Sequence, residues 1–294
     1  MLKIEGSIVA LVTPFNADGS VNFEKLGELI EFHIKNHTDA LCILGTTGEA
    51  STMEFSEEEE IVKYAVKKAN KRIPIIIGSG SNCTKTAIEY TVKYANLGAD
   101  ALLVITPYYN KTNESGMIKH FEAIANASPK PIIMYNVPGR TGCSISVHAV
   151  EVLSKHPNII GIKEASGDLT YAGKVARYLN DNFRMYSGND DIVVPLLSLG
   201  ASGVISVWAN IMPQTVHDMV MDYLGGNVKK ARDTQLKYLD LIHNLFLETN
   251  PIPVKCGMNY LGFNVGPLRL PLDEMNPDKF NTLKKTLDEI KGTC

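Results

Sequence analysis

The chain has 294 residues, of which 45% are hydrophobic and 21% are charged, and its formal net charge at pH 7 is −3. This near-neutral balance, without a lysine- or arginine-rich block, argues against a nucleic-acid or anionic-membrane partner. The five cysteines share no metal-type spacing, and no run approaches the roughly 20 apolar residues needed to span a bilayer, so we expect reduced thiols in a soluble cytoplasmic protein.

Short apolar segments recur along the chain, and each is bounded by turn residues, as buried strands are. The predicted strands are residues 7–13, 40–44, 73–77, 101–106, 131–136, 158–163, 183–187 and 203–207. The connections between them are roughly 25–35 residues long, which is enough for one crossover helix each.

Within these connections, apolar residues recur at helical spacing. The predicted helices are residues 22–35, 56–68, 84–96, 115–127, 146–154, 169–179 and 190–199. Asn22 is expected to cap the first helix, and Ser56 with Glu59 has the pattern of a capping box at the second. The last connection is the shortest and contains Pro195, so its helical pattern is the weakest.

Strands that alternate with helices predict a parallel sheet in an α/β fold. Eight such units in about 220 residues favour a closed (β/α)8 TIM barrel over an open doubly wound sheet, and no GxGxxG motif follows the first strand. Beyond Trp208, helical patterns follow with no strand between them, at residues 213–224, 228–247, 254–261 and 277–291. We therefore predict a catalytic barrel at 1–224 and a C-terminal helical appendage at 225–294.

The carboxyl ends of the strands carry the chemistry of a (β/α)8 barrel. This rule selects residues 45–49, 106–110, 135–142, 188–190 and Lys163. Together they supply an amine, several phenols and hydroxyls, and a guanidinium. They contain no His/Asp/Glu cluster suited to a metal, so we expect neither a metal nor a cofactor.

Lys163 ends the apolar run of the sixth strand, where a charged side chain is costly to bury. Strict alternation would place it on one face with Ile159 and Gly161, with a gap at Gly161. A lysine that reaches the surface or pairs with Glu164 is the alternative. Burial favours the neutral amine, which adds to ketones, and nearby hydroxyls can relay the protons. These features together predict a Schiff-base lyase acting on a 2-oxo acid.

Each other candidate also has a structural interpretation. The turn at 45–49 is either an ordinary loop or a carboxylate-binding turn, and Tyr135 is either a core tyrosine or a proton carrier. Arg140 is either a solvated charge or a bidentate carboxylate ligand. Asp190 and Asp191 are interpreted as a helix cap rather than a metal site, and the seven histidines as structural.

Five ordered motifs, GTTGE, ITPYYN, YNVPGRTG, GIKEASGD and YSGND, resemble those of the pyruvate-dependent class I aldolase family. The resemblance runs from GSIVALVTPF to NPIPVK. It is greatest to the members that condense pyruvate with L-aspartate 4-semialdehyde, the first committed step of lysine and diaminopimelate biosynthesis. Sialic acid lyases and sugar-acid aldolases are the alternative, but they generally lack arginine at the position of Arg140. A non-catalytic barrel that binds a carboxylate ligand is disfavoured by the intact set of lysine, tyrosine and threonine. A pyridoxal phosphate enzyme is disfavoured because no clear phosphate-binding glycine loop follows strands seven and eight.

The resemblance implies catalytic roles for four residues. Lys163 matches the lysine that forms the Schiff base with pyruvate, and Tyr135 matches the tyrosine that carries protons to and from the imine. Thr46 and Tyr109 match its relay partners. Tyr109 is usually contributed by a neighbouring subunit in a homotetramer built as a dimer of dimers.

The resemblance also implies binding roles. Thr47 matches the residue that binds the pyruvate carboxylate, and Arg140 matches the one that binds the carboxylate of the semialdehyde. Gly188 and Ile205 match positions that line the site.

One departure concerns feedback control. Lysine-inhibited members have a second site lined by histidines and a glutamate, whose positions hold Phe55, Glu58 and Thr86 here, although Ser51, Asn82 and Tyr108 fit. Without the glutamate, a bound lysine ammonium would lose a charged partner. We expect feedback inhibition by lysine to be weak or absent; half-inhibition at sub-millimolar lysine would contradict this.

Overall fold

Eight parallel strands close into a barrel in the computed structural model, which describes residues 2–291. Each strand pairs with the next one in sequence, and the last pairs with the first. The strands are β1 (Gly6–Ala10), β2 (Ala40–Ile43), β3 (Ile75–Gly78), β4 (Ala101–Ile105), β5 (Ile132–Asn136), β6 (Ile159–Glu164), β7 (Arg184–Ser187) and β8 (Gly203–Ser206). The prediction of a (β/α)8 barrel is confirmed.

Helices alternate with these strands and then continue beyond β8. Those between strands are α1 (Phe23–Lys35), α2 (Phe55–Ala69), α3 (Thr84–Asn96), α4 (Glu114–Ala127), α5 (Pro138–Thr141), α6 (Val147–Leu153), α7 (Leu169–Ala176) and α8 (Val193–Ser198). Those after β8 are α9 (Pro213–Leu224), α10 (Val228–Lys237), α11 (Leu239–Asn244), α12 (Ile252–Tyr260) and α13 (Pro277–Ile290). Short 3-10 turns occur at Ala50–Thr52, Asp190–Ile192 and Trp208–Asn210.

One of the two predicted helix caps is found in the structure, and the other is not. Asn22 caps α1 as predicted, since its side chain accepts a hydrogen bond from the Lys25 backbone N–H. The predicted capping box of Ser56 and Glu59 is wrong. The box is formed by Glu54 and Glu57, two residues earlier, so α2 begins at Phe55.

Two predicted helices are interrupted. The segment 190–199 begins as a 3-10 turn and becomes α8 only at Val193. The single helix predicted at 228–247 is divided into α10 and α11 at Tyr238, whose ring packs against Trp208 with centroids 5.3 Å apart. At Tyr238 tertiary packing outweighs local helical preference, whereas at 190–199 the helical pattern was already weak because of Pro195.

Strand side chains alternate between an inner layer that fills the barrel and an outer layer that packs against the helices. Strand β6 breaks this alternation, because the register with β5 shifts between Ile132 and Ile133. Ile159 and Ile162 belong to the outer layer, and Ile160 belongs to the inner one. The predicted sharing of one face by Ile159 and Lys163 is therefore wrong.

The space beside Gly161 is filled rather than empty. A methyl group on Gly161 would lie 2.5 Å from the carbonyl oxygen of Arg184 and 3.4 Å from the ring of Tyr186. The predicted gap below Lys163 is wrong, and the glycine instead lets β7 approach β6 closely.

The helices after β8 contribute contacts to the barrel. The α12 residue Lys255 donates a hydrogen bond to the carbonyl oxygen of Thr13, which follows β1. The division at residue 224 stays a prediction. Within residues 2–291, no helix is long and apolar enough to cross a membrane. Free thiols are found at Cys42, Cys83, Cys143 and Cys256, whereas Cys294 lies outside the described residues.

Candidate active site

A cavity of about 500 Å³ opens at the carboxyl ends of the strands. Most of the predicted site residues line it, although their positions in the sequence are far apart. These residues are Thr46, Thr47, Tyr135, Arg140, Lys163 and Gly188. The strand-end rule therefore selected residues that the fold brings together.

Lys163 lies in this cavity with 7% of its surface exposed. Its Nζ is 4.2 Å from the centroid of the Tyr135 ring, since the two residues are directly paired across β5 and β6. No hydrogen bond or ion pair joins this ammonium to another residue between 2 and 291. The amine is thus buried and next to a phenol; it forms no ion pair, although its charge acts on the buried Asp190 carboxyl.

Glu164 points away from the cavity and supports the strand. Its carboxylate accepts hydrogen bonds from Asn136 Nδ2 at 2.7 Å and from the Ser166 backbone N–H at 2.6 Å. Burial raises the pKa of this carboxyl above its ordinary value, while the bonds from Ser166 and Asn136 oppose the shift. The alternative in which Glu164 pairs with Lys163 is wrong.

Gly188 leaves room for the lysine side chain. A methyl group at this position would lie 2.5 Å from Ala165 Cβ and 3.1 Å from Lys163 Cε. Glycine is therefore the residue that allows the loop after β7 to pass beside Lys163.

The turn after β2 presents Thr46 and Thr47 to the cavity. It is closed by hydrogen bonds from the Gly48 N–H to the Gly45 carbonyl at 3.0 Å and from the Glu49 N–H to the Thr46 carbonyl at 3.1 Å. The Thr47 hydroxyl accepts a bond from Asn250 Nδ2 at 2.9 Å. Its position in the cavity is thus set by a residue 203 positions away.

Asn250 also holds Arg140, which is exposed at the cavity mouth. The backbone carbonyl of Asn250 accepts a hydrogen bond from Arg140 Nη2 at 3.0 Å. One residue thus contacts both predicted carboxylate ligands. Asn250 follows no strand, so the strand-end rule does not select it, although it stands in the NPIPVK segment that marked the end of the resemblance.

Two predicted site residues lie outside the cavity wall. Ile205 belongs to the inner barrel layer, and Val207, two residues later, lines the cavity instead. Tyr109 is 91% exposed in a left-handed conformation, whereas its neighbour Tyr108 lines the cavity. The fold of one chain therefore does not bring Tyr109 to Lys163.

Asp190 connects two strand ends. Its Oδ2 accepts hydrogen bonds from the backbone N–H groups of Val207 at 2.9 Å and Trp208 at 3.0 Å. It caps the turn after β8, so the prediction that it caps the following helix is wrong. Burial raises the pKa of this carboxyl.

Metal ligands do not gather at the cavity. In the chain from residue 2 to residue 291, no group of histidine, cysteine, aspartate or glutamate is arranged to hold a metal ion. No histidine lines the cavity. His33 is buried and bonded to Thr38, and His120 is bonded to Thr84, in keeping with structural roles.

The cavity extends away from Lys163 toward Ser51, Glu58, Thr86 and Tyr90. Glu58 accepts a hydrogen bond from the buried Tyr94 hydroxyl. Burial raises the pKa of the Glu58 carboxyl to about 7, against the lowering effect of that bond. The extension includes Ser51, Glu58 and Thr86, which were aligned with the second site of lysine-inhibited relatives.

The chain is similar over nearly its whole length to proteins of one family. The model of the "Dihydrodipicolinate synthetase family" matches residues 3–290. The chain is 54% identical over 287 residues to "4-hydroxy-tetrahydrodipicolinate synthase 1" of Clostridium acetobutylicum, covering 98% of each chain. The crystal structure of dihydrodipicolinate synthase from Aquifex aeolicus is similar with a TM-score of 0.94, 42% identity and 97% coverage of both chains. A chloride-inhibited enzyme of the same name from Acinetobacter baumannii, solved with pyruvate, gives a TM-score of 0.95 at 42% identity, covering 98% of this chain and 99% of that one.

Proposed function

The chain belongs to the dihydrodipicolinate synthetase family, and from this membership we propose that its cavity condenses pyruvate with L-aspartate 4-semialdehyde. The activity is that of a 4-hydroxy-tetrahydrodipicolinate synthase, a lyase of the class I aldolase type. One observation carries the proposal for the site. Lys163 is buried in the cavity beside the Tyr135 ring and forms no ion pair with any residue between 2 and 291.

The reaction begins when the neutral amine of Lys163 attacks C2 of pyruvate. Loss of water gives an imine, and removal of a methyl proton gives an enamine. The enamine carbon attacks the aldehyde of the semialdehyde, and the amine of that substrate then closes the ring and displaces Lys163. Tyr135 carries protons to and from the imine, with Thr46 and Tyr109 as relay partners. The order of events predicts ping-pong kinetics.

The two carboxylates bind at different places. The Thr47 side of the turn after β2 holds the pyruvate carboxylate through hydroxyl and backbone donors. Arg140 holds the semialdehyde carboxylate at the mouth, where a guanidinium can form two parallel bonds. Gly188 shapes the wall, and Ile205 packs beneath it in the inner layer.

The assembly is a homotetramer built from two dimers. Supporting this is the exposure of Tyr109, whose left-handed backbone projects an aromatic side chain away from its own barrel. In the assembly, Tyr109 enters the cavity of a second copy of the chain.

Borohydride trapping tests the central step. Reduction in the presence of pyruvate is expected to leave a covalent adduct, found by mass spectrometry on the peptide that contains Lys163. Lys163→Arg, which keeps the charge, should give no adduct. Absence of an adduct in the unmodified protein, or an adduct on another lysine, would refute the proposed function.

A further inference from the structure

A buried ion pair lies behind the turn that carries Thr46 and Thr47. Lys255 Nζ, on α12, is 2.8 Å from Glu49 Oε1, and the two side chains are 1% and 0% exposed. Neither residue lines the cavity. The mechanism above makes no use of this pair.

The pair is fully bonded on both sides. Lys255 Nζ also donates to the carbonyl oxygens of Thr13 at 3.1 Å and Pro267 at 2.6 Å, which uses all three of its protons. The other oxygen of Glu49 accepts from the Arg269 backbone N–H at 3.0 Å. Glu49 is therefore joined to α12 and to the segment between α12 and α13. Breaking the pair would leave an uncompensated buried charge.

The turn needs such a support, because its backbone is unfavourable. Leu44 and Glu49, at its two ends, have φ values of 55° and 57°, which only glycine adopts without cost. Residues in this conformation persist when the surrounding structure over-determines them. Lys255 holds one oxygen of the Glu49 carboxylate, and the Arg269 backbone N–H holds the other. The Thr13 hydroxyl also donates a hydrogen bond to the Gly48 carbonyl, next to Glu49.

We propose that Lys255 is a positioning residue that, through Glu49, holds the Thr46–Thr47 turn in the conformation that binds the carboxylate of the 2-oxo acid. The inference rests on the proposed function, because it assigns that carboxylate to the turn. Arg140 bonds to neither member of the pair: its Nη2 donates to the backbone carbonyl of Asn250, whereas Asn250 contacts the turn through its side chain. Loss of the pair should therefore affect the first substrate far more than the second.

The test uses the double variant Glu49→Gln/Lys255→Met in the full-length chain, because removing both charges avoids leaving one buried and unpaired. Two changes are expected. Amide hydrogen exchange in the peptide covering residues 44–49 should rise at least about tenfold. The pyruvate concentration for half-maximal borohydride trapping should also rise at least about tenfold, whereas the KM for the semialdehyde should change less than about twofold.

Leu287→Ala is the matched control, since Leu287 is buried on α13 against Gly257 of α12 and contacts neither the turn nor the cavity. It destabilises the same helices and should leave both measurements unchanged. Unchanged exchange at 44–49 in the double variant, or an equal rise in the control, would overturn the inference. If the unmodified protein traps no pyruvate, the proposed function fails, and hydrogen exchange alone decides whether the pair holds the turn.

Discussion

Gly188 is the position where one added methyl group should disturb the reaction most directly. In Gly188→Ala the new carbon would be 2.5 Å from Ala165 Cβ, which has no flexible chain to move aside, and 3.1 Å from Lys163 Cε. Displacing the proposed nucleophile, the Lys163 amine, by about 1 Å should lower kcat on the order of 100-fold. Gly173→Ala on α7, where a methyl group has open space, should keep full activity in the same steady-state assay. Full activity of Gly188→Ala would contradict the assigned crowding.

Arg140 should affect the second substrate alone. In Arg140→Ala the kcat/KM for the semialdehyde should fall about 10- to 100-fold, as expected when a charge-assisted bond to a carboxylate is lost. The rate of borohydride trapping with pyruvate should stay within about twofold of the original, because the proposed reaction uses the guanidinium only for the second substrate. Arg140→Lys keeps the positive charge but lacks the planar guanidinium. Its kcat/KM for the semialdehyde should lie between the values of the original protein and of Arg140→Ala. Unchanged semialdehyde kinetics would count against this assignment.

At the scale of residues, the sequence located the candidates at the carboxyl ends of strands. Lys163, Tyr135 and Thr46 could be selected because strand ends meet at one edge of a barrel. Asn250 could not be selected in this way, since it follows α11 and reaches the cavity only through the packing of the C-terminal helices. Lys255 could not be selected for the same reason, since in the sequence it is one lysine of a predicted helix and its partner Glu49 is 206 residues away.

Strand β6 shows what an element-level rule misses. Alternation assigns faces correctly when pairing is regular, and it failed here because the register with β5 shifts by one residue. The shift depends on the partner strand and leaves no mark in the isoleucine-rich segment. The prediction of a gap beside Gly161 failed for the same reason, because the β7 backbone that fills this space lies there only in the assembled sheet.

The amino end of α7 offers a test of element stability that is separate from catalysis. The Asp168 carboxylate accepts hydrogen bonds from the N–H groups of Thr170 at 2.8 Å and Tyr171 at 3.0 Å. Asp168→Ala should cost about 1 kcal/mol of unfolding free energy and lower Tm by about 2–4 °C, without changing kcat. Asp168→Asn keeps the acceptor and should retain most of the stability in the same calorimetric scan. Equal losses in the two variants would argue against a cap.

The whole molecule contains buried groups whose pH effects oppose one another. Burial lowers the pKa of His33 to about 3 and that of His120 to about 4. Both histidines are neutral in the folded chain, and the unfolded chain binds more protons below about pH 6.5. They therefore destabilise the fold as pH falls. The raised pKa of Glu58 acts in the other direction, because its folded form keeps a proton between its ordinary value of 4.5 and about 7.

Glu58→Gln should isolate this second effect. The original protein loses unfolding free energy as pH rises through about 7, because Glu58 must then ionise while buried. The amide of the variant stays neutral, so the variant should not show this loss. The difference in free energy of unfolding, variant minus original protein, should be larger at pH 8 than at pH 5 by up to about 3 kcal/mol. Urea unfolding at both pH values measures the difference. Parallel pH profiles would show that Glu58 is already ionised in the fold.

The architecture as a whole was more predictable than its details. Eight repeats of an apolar segment and a helical segment are enough to indicate a closed barrel, because each unit must bury one face against its neighbours. The split of 228–247 at Tyr238 was not predictable, since the ring that packs there belongs to Trp208 in another part of the chain.

The buried contacts behind the Thr46–Thr47 turn also bear on the order in which the protein is made. The groups that hold Thr47 and Glu49 belong to Asn250, Lys255 and Arg269, which follow them by 203, 206 and 220 residues. A nascent chain that has emerged only as far as β8 already contains every strand of the barrel and both threonines. It still lacks the partners that fix them. Because synthesis runs from the amino end, the turn gains its full set of partners only after Arg269 has emerged, well after the last strand of the barrel.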